Sequence, residues 1–197
     1  MTFPDKAFEN IHAFANAYFD QLALASESVN DKALNDAALM LGDAYARRAA
    51  VYVCGNGGSA SIANHLICDH QKGVQADTDI RPRVMSLSSN IEIITAISND
   101  VSYEDIFAFQ LSTMADAGDV LVTISSSGDS ENIVRAAQWA RSNNCSVIAM
   151  TGFDGGRSSK LAHINLHVKS DNYGVIEDMH QSLMHILAQF IRLSRMQ

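Results

Sequence analysis

Two segments of the chain combine small residues and hydroxyls in a way that suits an anion. Cys54-Gly55-Asn56-Gly57-Gly58-Ser59 follows an apolar run and precedes a helical pattern holding Ile62, Ala63, His65 and Leu66. Glycines permit positive φ and let backbone N–H groups approach a ligand, and a helix start adds the positive end of its dipole. The spacing is neither GxGxxG nor a loop closed by Lys-Ser/Thr, so dinucleotide and ATP binding find no support. Ser125-Ser126-Ser127-Gly128-Asp129-Ser130 offers four serine hydroxyls around one glycine, ahead of a helix from about Glu131. Hydroxyls can donate to phosphate oxygens without carrying charge. The first loop has the lesser alternative of a tight βα turn with a serine N-cap, and the second, taken alone, would equally serve as an N-cap cluster.

A second set of side chains could move protons or hold a metal. His65 and Asp69 stand four residues apart and share one helix face, and Glu177, Gln181 and His185 fall near one stripe of the last helical segment. Each of two helices thus offers a histidine and a carboxylate. These groups suit general acid–base transfer, or the nitrogen and oxygen coordination of a divalent metal such as Zn²⁺. Spacing does not separate the two. His70, His163, His167 and His180 read as structural.

The elements that must position these groups follow from hydrophobic periodicity. Residues 5–27 and 31–48 repeat apolar side chains at helical spacing and form an N-terminal helical hairpin. Short apolar runs at 50–54, 83–87, 119–124, 146–150 and 164–168 then alternate with helix-like segments at 59–71, 90–97, 130–142 and 175–194. Continuous apolar strands alternating with helices predict an α/β fold with a five-stranded parallel doubly wound sheet. In the flavodoxin-like order 2-1-3-4-5, the loops after the first and third strands sit side by side at the switch point, where ligands bind. Those are the two anion-type loops. One domain over 1–197 is expected, with the hairpin at 1–48 and the α/β core at 49–197.

A formal net charge of −8 over 197 residues argues against nucleic acid and against an anionic membrane as partners, since both attract clustered Lys and Arg. Any phosphate must therefore be held locally. The opening MTFPDKAFENIHAF has no apolar run suited to a signal peptide or membrane span. Three cysteines, Cys54, Cys68 and Cys145, form no CxxC pair, which fits a reduced, cytoplasmic compartment. The large apolar side chains of 5–27 exceed what one helix face of a small domain buries, and point to oligomerisation.

GNGGSA, NDVSYEDIF, ISSSGDSENI, the TGFDGG run and the terminal EDMHQSLMHIL resemble the SIS (sugar isomerase) family, in its phosphoheptose isomerase branch. The likeness spans nearly the whole chain and implies an aldose–ketose isomerase acting on a sugar phosphate, sedoheptulose 7-phosphate in that branch. It also implies a homotetramer with active sites between subunits. By the resemblance Asn56, Gly57, Gly58, Ser59, Asn99 and Asp100 contact substrate, and Ser125, Ser126, Ser127 and Ser130 bind its phosphate. His65, Asp69, Glu177 and His185 occupy the family's zinc-ligand positions, and Asp69 with His185 those of its acid/base pair; Glu177 could take over as base if Asp69 is ligated.

Against the family's pattern, Asp69 stands for a glutamate, Glu177 for a glutamine, and Gly73 and Gly174 for an arginine and an acidic residue. Those exchanges bear on which sugar is used. The rival expectations are a non-catalytic scaffold that binds a replication initiator, a sugar-phosphate-sensing regulatory domain, and an isomerase of a different sugar phosphate. The presence of Asp69 and His185 argues against the scaffold, and the lack of a basic helix-turn-helix segment against the regulator.

Overall fold

A computed structural model describes residues 3–196. Strands β1 (Ala50–Gly55), β2 (Arg83–Ser86), β3 (Val120–Ser125), β4 (Ser146–Thr151) and β5 (Ile164–His167) form one parallel sheet in the order β2-β1-β3-β4-β5. The expected fold and strand order are thereby borne out, and every strand ends within one residue of its expected bounds. The reason is chemical: β1 and β3 are buried along their whole length, so only uninterrupted apolar and β-branched residues serve there.

Alternation along the strands divides the core. Val51, Val53, Val122 and Ile124 face one layer, built from α2 (Asp31–Ala46), α3 (Gly58–Ile67) and α8 (Tyr173–Leu193). Tyr52, Cys54 and Leu121 face the other, built from α4 (Ile91–Asp100), α5 (Ile106–Met114) and α6 (Glu131–Ser142). Helix α7 (Gly156–Leu161) joins β4 to β5, and α1 (Ile11–Glu27) packs on α8.

Several helices differ from expectation. Helix α1 starts at Ile11, not at residue 5, because extended Asn10 caps it and accepts a hydrogen bond from the Ala13 N–H at 2.9 Å. The sequence IFAFQLSTM of α5 is short and rich in apolar residues that follow no helical period, so it carries no periodicity to read. Helix α7 has only six residues and opens on two positive-φ glycines, its cap Gly155 and its first residue Gly156. The helix expected over 59–71 stops at Ile67 and widens into a π-helical stretch, Cys68–Val74, that carries Asp69. Such stretches recur at functional sites.

Helix α8 lies hard against the sheet. A Cβ on Gly152, just after β4, would stand 2.5 Å from Ile176 Cδ1, so only glycine admits the helix at this depth. Asn172 caps α8 by accepting from the Val175 N–H at 3.1 Å. Within α8, His180 is fully buried, and neither ring nitrogen has a hydrogen-bond partner among the described residues. Burial pushes its pKa down to about 4, with the neighbouring His167 acting in the same direction. His70, buried beneath α8 with Nδ1 2.6 Å from the Tyr45 hydroxyl, is also pushed down to about 4 by burial.

Both imidazoles are neutral in the fold, whereas an unfolded chain protonates them near the ordinary value of about 6.5. The unfolded state binds more protons in the window between. The stability they contribute is therefore present above about pH 6.5 and lost as pH falls toward about 4. Thermal unfolding followed from pH 7 to pH 4 should show a steep fall in midpoint, and His180→Leu should remove part of that slope. A slope identical in the variant would exclude His180 as a titrating group.

Candidate active site

Loop one leaves β1 at Gly55, whose missing Cβ would meet the Ser59 carbonyl oxygen at 2.5 Å. Gly57, at φ 55°, turns the chain into α3, and no side chain caps that helix start. Ala60 and Ser61 donate to the Asn56 and Gly57 carbonyls, which leaves the N–H groups of Gly58 and Ser59 to meet a ligand. A Cβ on Gly58 would stand 2.3 Å from Glu177 Oε2, so the glycine lets the α8 carboxylate reach the first turn of α3. Negative charge is favoured there by the helix dipole.

Loop two leaves β3 at Ser125 and turns at Gly128, which has φ 64° and donates its N–H to Ser125 Oγ at 3.1 Å. Ser130 opens α6, yet its hydroxyl makes no capping hydrogen bond. Ser126 Oγ is buried without a partner among the described residues. A buried unpaired hydroxyl costs roughly 1–3 kcal/mol, which a ligand oxygen would offset. The Ser130 side chain thus does not cap α6, one of the two roles that the sequence left even for this loop.

Both loops open on one cavity of about 180 Å³, lined by Asn56, Ser59, Ser125, Ser126, Ser127, Ser130, Tyr173 and Glu177 together with Ile124. Asn56 Nδ2 donates to Asn132 Oδ1 at 2.9 Å and Asn132 Nδ2 returns a bond to Asn56 Oδ1 at 3.0 Å. This reciprocal amide pair ties the loops together, and the Tyr103 hydroxyl adds a bond to Asn56 Oδ1 at 3.1 Å. Asn132, Tyr103 and Tyr173 escaped sequence reasoning. Asn132 resembles any residue in a first helical turn, and its partner lies 76 positions away. Asn99 and Asp100, at the end of α4, bond to each other at 2.7 Å and do not line the cavity.

The other expected groups meet where the π-helical stretch faces α8. His185 Nδ1 bonds to Asp69 Oδ2, and the Gln181 amide nitrogen lies 2.9 Å from His185 Nε2. If Nδ1 carries the proton toward Asp69, Nε2 accepts from Gln181. His65 Nε2 stands 3.5 Å from Asp69 Oδ1, and the His65 and His185 rings meet edge to face at 5.2 Å. One ligand atom from each of His65, Asp69 and His185 lies within 4.8 Å of the others. Two imidazoles and a carboxylate suit a divalent metal with an open position. Of the four residues named for that role, these three come together, while Glu177 lies at the serine cavity. It stands eight residues before His185 on α8, about 12 Å along the axis.

A doubly wound sheet with two glycine- and serine-rich loops at its switch point defines a phosphosugar-binding α/β domain, and residues 16–152 match the SIS domain. The chain is 34% identical over 180 residues to the phosphoheptose isomerase of Mycobacterium tuberculosis, covering 88% of this chain and 90% of that one. Among solved structures it resembles the phosphoheptose isomerases of Francisella tularensis (TM-score 0.85, 29% identity, 98% of this chain and 100% of that one) and Neisseria gonorrhoeae (TM-score 0.84, 28% identity, 92% and 98%). The chain belongs to the phosphoheptose isomerase family of SIS domains.

Replacing Ser127 and Ser130 together with alanine should weaken binding of a sugar phosphate at least tenfold, measured by calorimetric titration. The melting temperature should change little, because the Ser130 hydroxyl caps nothing. A loss of about 1 kcal/mol of stability with unchanged affinity would instead mark both serines as caps.

Proposed function

We propose that the protein interconverts sedoheptulose 7-phosphate and a heptose 7-phosphate by proton transfer through an enediol. The observation that carries this reading is the Asp69–His185 pair, mounted on facing helices beside a serine-lined cavity in which the buried Ser126 hydroxyl is unpaired among the described residues. Helix α8 runs from Glu177 at the cavity to His185, so a long sugar phosphate can extend along it with phosphate at the serines and carbonyl at Asp69.

In this mechanism Ser125, Ser126, Ser127 and Ser130 hold the phosphate with the start of α6, as neutral donors in an acidic protein. Asn56, Gly57, Gly58 and Ser59 hold the sugar, and Asn99 and Asp100, which do not line the cavity, are kept as substrate contacts on the family resemblance alone. Asp69 takes a proton from one of C1 and C2 and returns it to the other, while His185 moves the proton between the two oxygens. Gln181 fixes the His185 ring for that exchange. Glu177, at the start of α3, accepts from sugar hydroxyls, and it is the alternative base of this reading if Asp69 is ligated. Zinc is the cofactor we assign: His65, Asp69 and His185 would hold it, and it would supply positive charge for the enediol oxygens.

We read residues 1–197 as one SIS domain, with helices α1 and α2 of the 1–48 hairpin packed on α8. A homotetramer with sites between subunits is part of the proposal. Its support is the apolar surface left open on α1 (Ile11, Phe19, Leu24) and α8 (Ile186, Phe190, Leu193). The three free thiols support a cytoplasmic location, and no described helix is long and apolar enough to cross a membrane.

Asp69→Asn and His185→Asn should each leave phosphate binding intact and lower isomerisation by about 10²-fold or more, the usual scale for general acid–base groups. Coupled assays with sedoheptulose 7-phosphate, on protein of known zinc content, read both. Persistence of activity in both variants removes the mechanism. Absence of turnover by the zinc-loaded unmodified protein favours a binding scaffold. Separately, sedimentation at micromolar concentration should give a tetramer, and a stable monomer would end the shared-site reading.

A further inference from the structure

We propose that Arg157 is a positioning residue that lets the serine loop accept phosphate, by pairing with and offsetting the charge of the two carboxylates that the loop itself carries. The inference deepens the isomerase reading and rests on it for what the loop binds. Asp129 and Glu131 flank Ser130, whose hydroxyl lines the cavity. Left bare, both would oppose a phosphate dianion held at the start of α6. The anion loop of this chain thus carries a charge of the wrong sign on each side of one of its donors.

Arg157 answers both. Its Nε donates to Asp129 Oδ1 at 2.6 Å, its Nη1 to Glu131 Oε2 at 2.8 Å, and its Nη2 to the Asp129 carbonyl at 2.9 Å. A planar guanidinium can span two carboxylates and a carbonyl in this way, and an ammonium cannot. Hydrogen bonds from Arg157 hold both carboxyls below the usual carboxylate range. Arg135 takes the other Glu131 oxygen at 3.2 Å and Asp105 Oδ2 at 2.8 Å, extending the network to the turn that carries Tyr103.

The backbone aims the guanidinium. A Cβ on Gly128 would meet the Gly155 carbonyl oxygen at 2.1 Å, one on Gly156 would meet the Gly128 carbonyl carbon at 2.4 Å, and the Ser158 N–H donates to the Gly128 carbonyl at 2.9 Å. The TGFDGG run is thus a buttress laid directly on the phosphate loop, and Arg157 follows its last glycine. Ion pairs this exposed add little to stability. Their reach toward a ligand within a Debye length is another matter.

Titrating inorganic phosphate into the full-length protein by phosphorus NMR tests the charge argument directly. Arg157→Ala should weaken phosphate about tenfold at 0.1 M ionic strength, and the loss should shrink at 1 M salt, where screening acts over only about 3 Å. In turnover the same change should raise KM and leave kcat nearly constant. The triple variant R157A/D129N/E131Q lacks every hydrogen bond of the guanidinium but also both charges, and it should regain most of the affinity. Phosphate bound by R157A as tightly as by the unmodified protein would overturn the inference, as would a triple variant no better than R157A. The isomerase reading is scored separately by turnover of sedoheptulose 7-phosphate: an Arg157-dependent phosphate site without turnover keeps the inference and removes that reading.

Discussion

The lateral pairing of β1 with β3 is the constraint on which the site depends. In register, Gly55 lies against Ile124 and Val53 against Val122, so both strands end at the same level and release their loops into one crevice. Had the chain run its strands in sequential order, β2 would separate the two loops by a strand's width, roughly 5 Å, on each side. The right-handed crossovers that place β2 outside β1 and β3 inside it therefore create the switch point. The reciprocal Asn56–Asn132 amide pair then locks the two loops across that seam.

Close backbone approach is the second theme, and glycine makes it possible at a few positions that matter. Gly152 admits Ile176, which sets the depth of α8 on the sheet; Gly58 admits Glu177, which brings the same helix to loop one. Depth and rotation of α8 decide whether His185 faces Asp69, because both sit on helices and neither has a long tether. The π-helical stretch at Cys68–Val74 completes the alignment: Asp69 points toward His65 and His185 while His70 packs inward on Tyr45.

Charge explains how an acidic protein can hold an anion. Loop two offers neutral hydroxyls, one of them buried and unpaired, together with a helix start whose side-chain cap is missing. Fixed dipoles beside the buried Ser125 and Ser126 act more strongly than in water. The only carboxylates on that loop, Asp129 and Glu131, are turned outward and occupied by Arg157.

The amino-acid sequence by itself determined the strand pattern and the two glycine- and serine-rich turns, because each is a local matter of hydrophobic period, glycine and hydroxyl, while the sheet order followed from the fold class and is realised by pairing between distant strands. It also singled out His65 and Asp69, which stand four apart and would share a face of an α-helix, and His185 by its chemical type. Tertiary structure decided what local pattern cannot carry. Helix α5 was hidden by an apolar composition without period, and the start of α1 by a capping asparagine. The meeting of Asp69 with His185 spans 116 positions, and that of Asn56 with Asn132 spans 76. Glu177 shows the limit most plainly: its stripe on α8 was legible, but whether it turns to the histidines or to the serine cavity depends on a missing Cβ at Gly58, on another helix. Such contacts are settled by packing between distant segments, where steric room, not residue type, selects the partner.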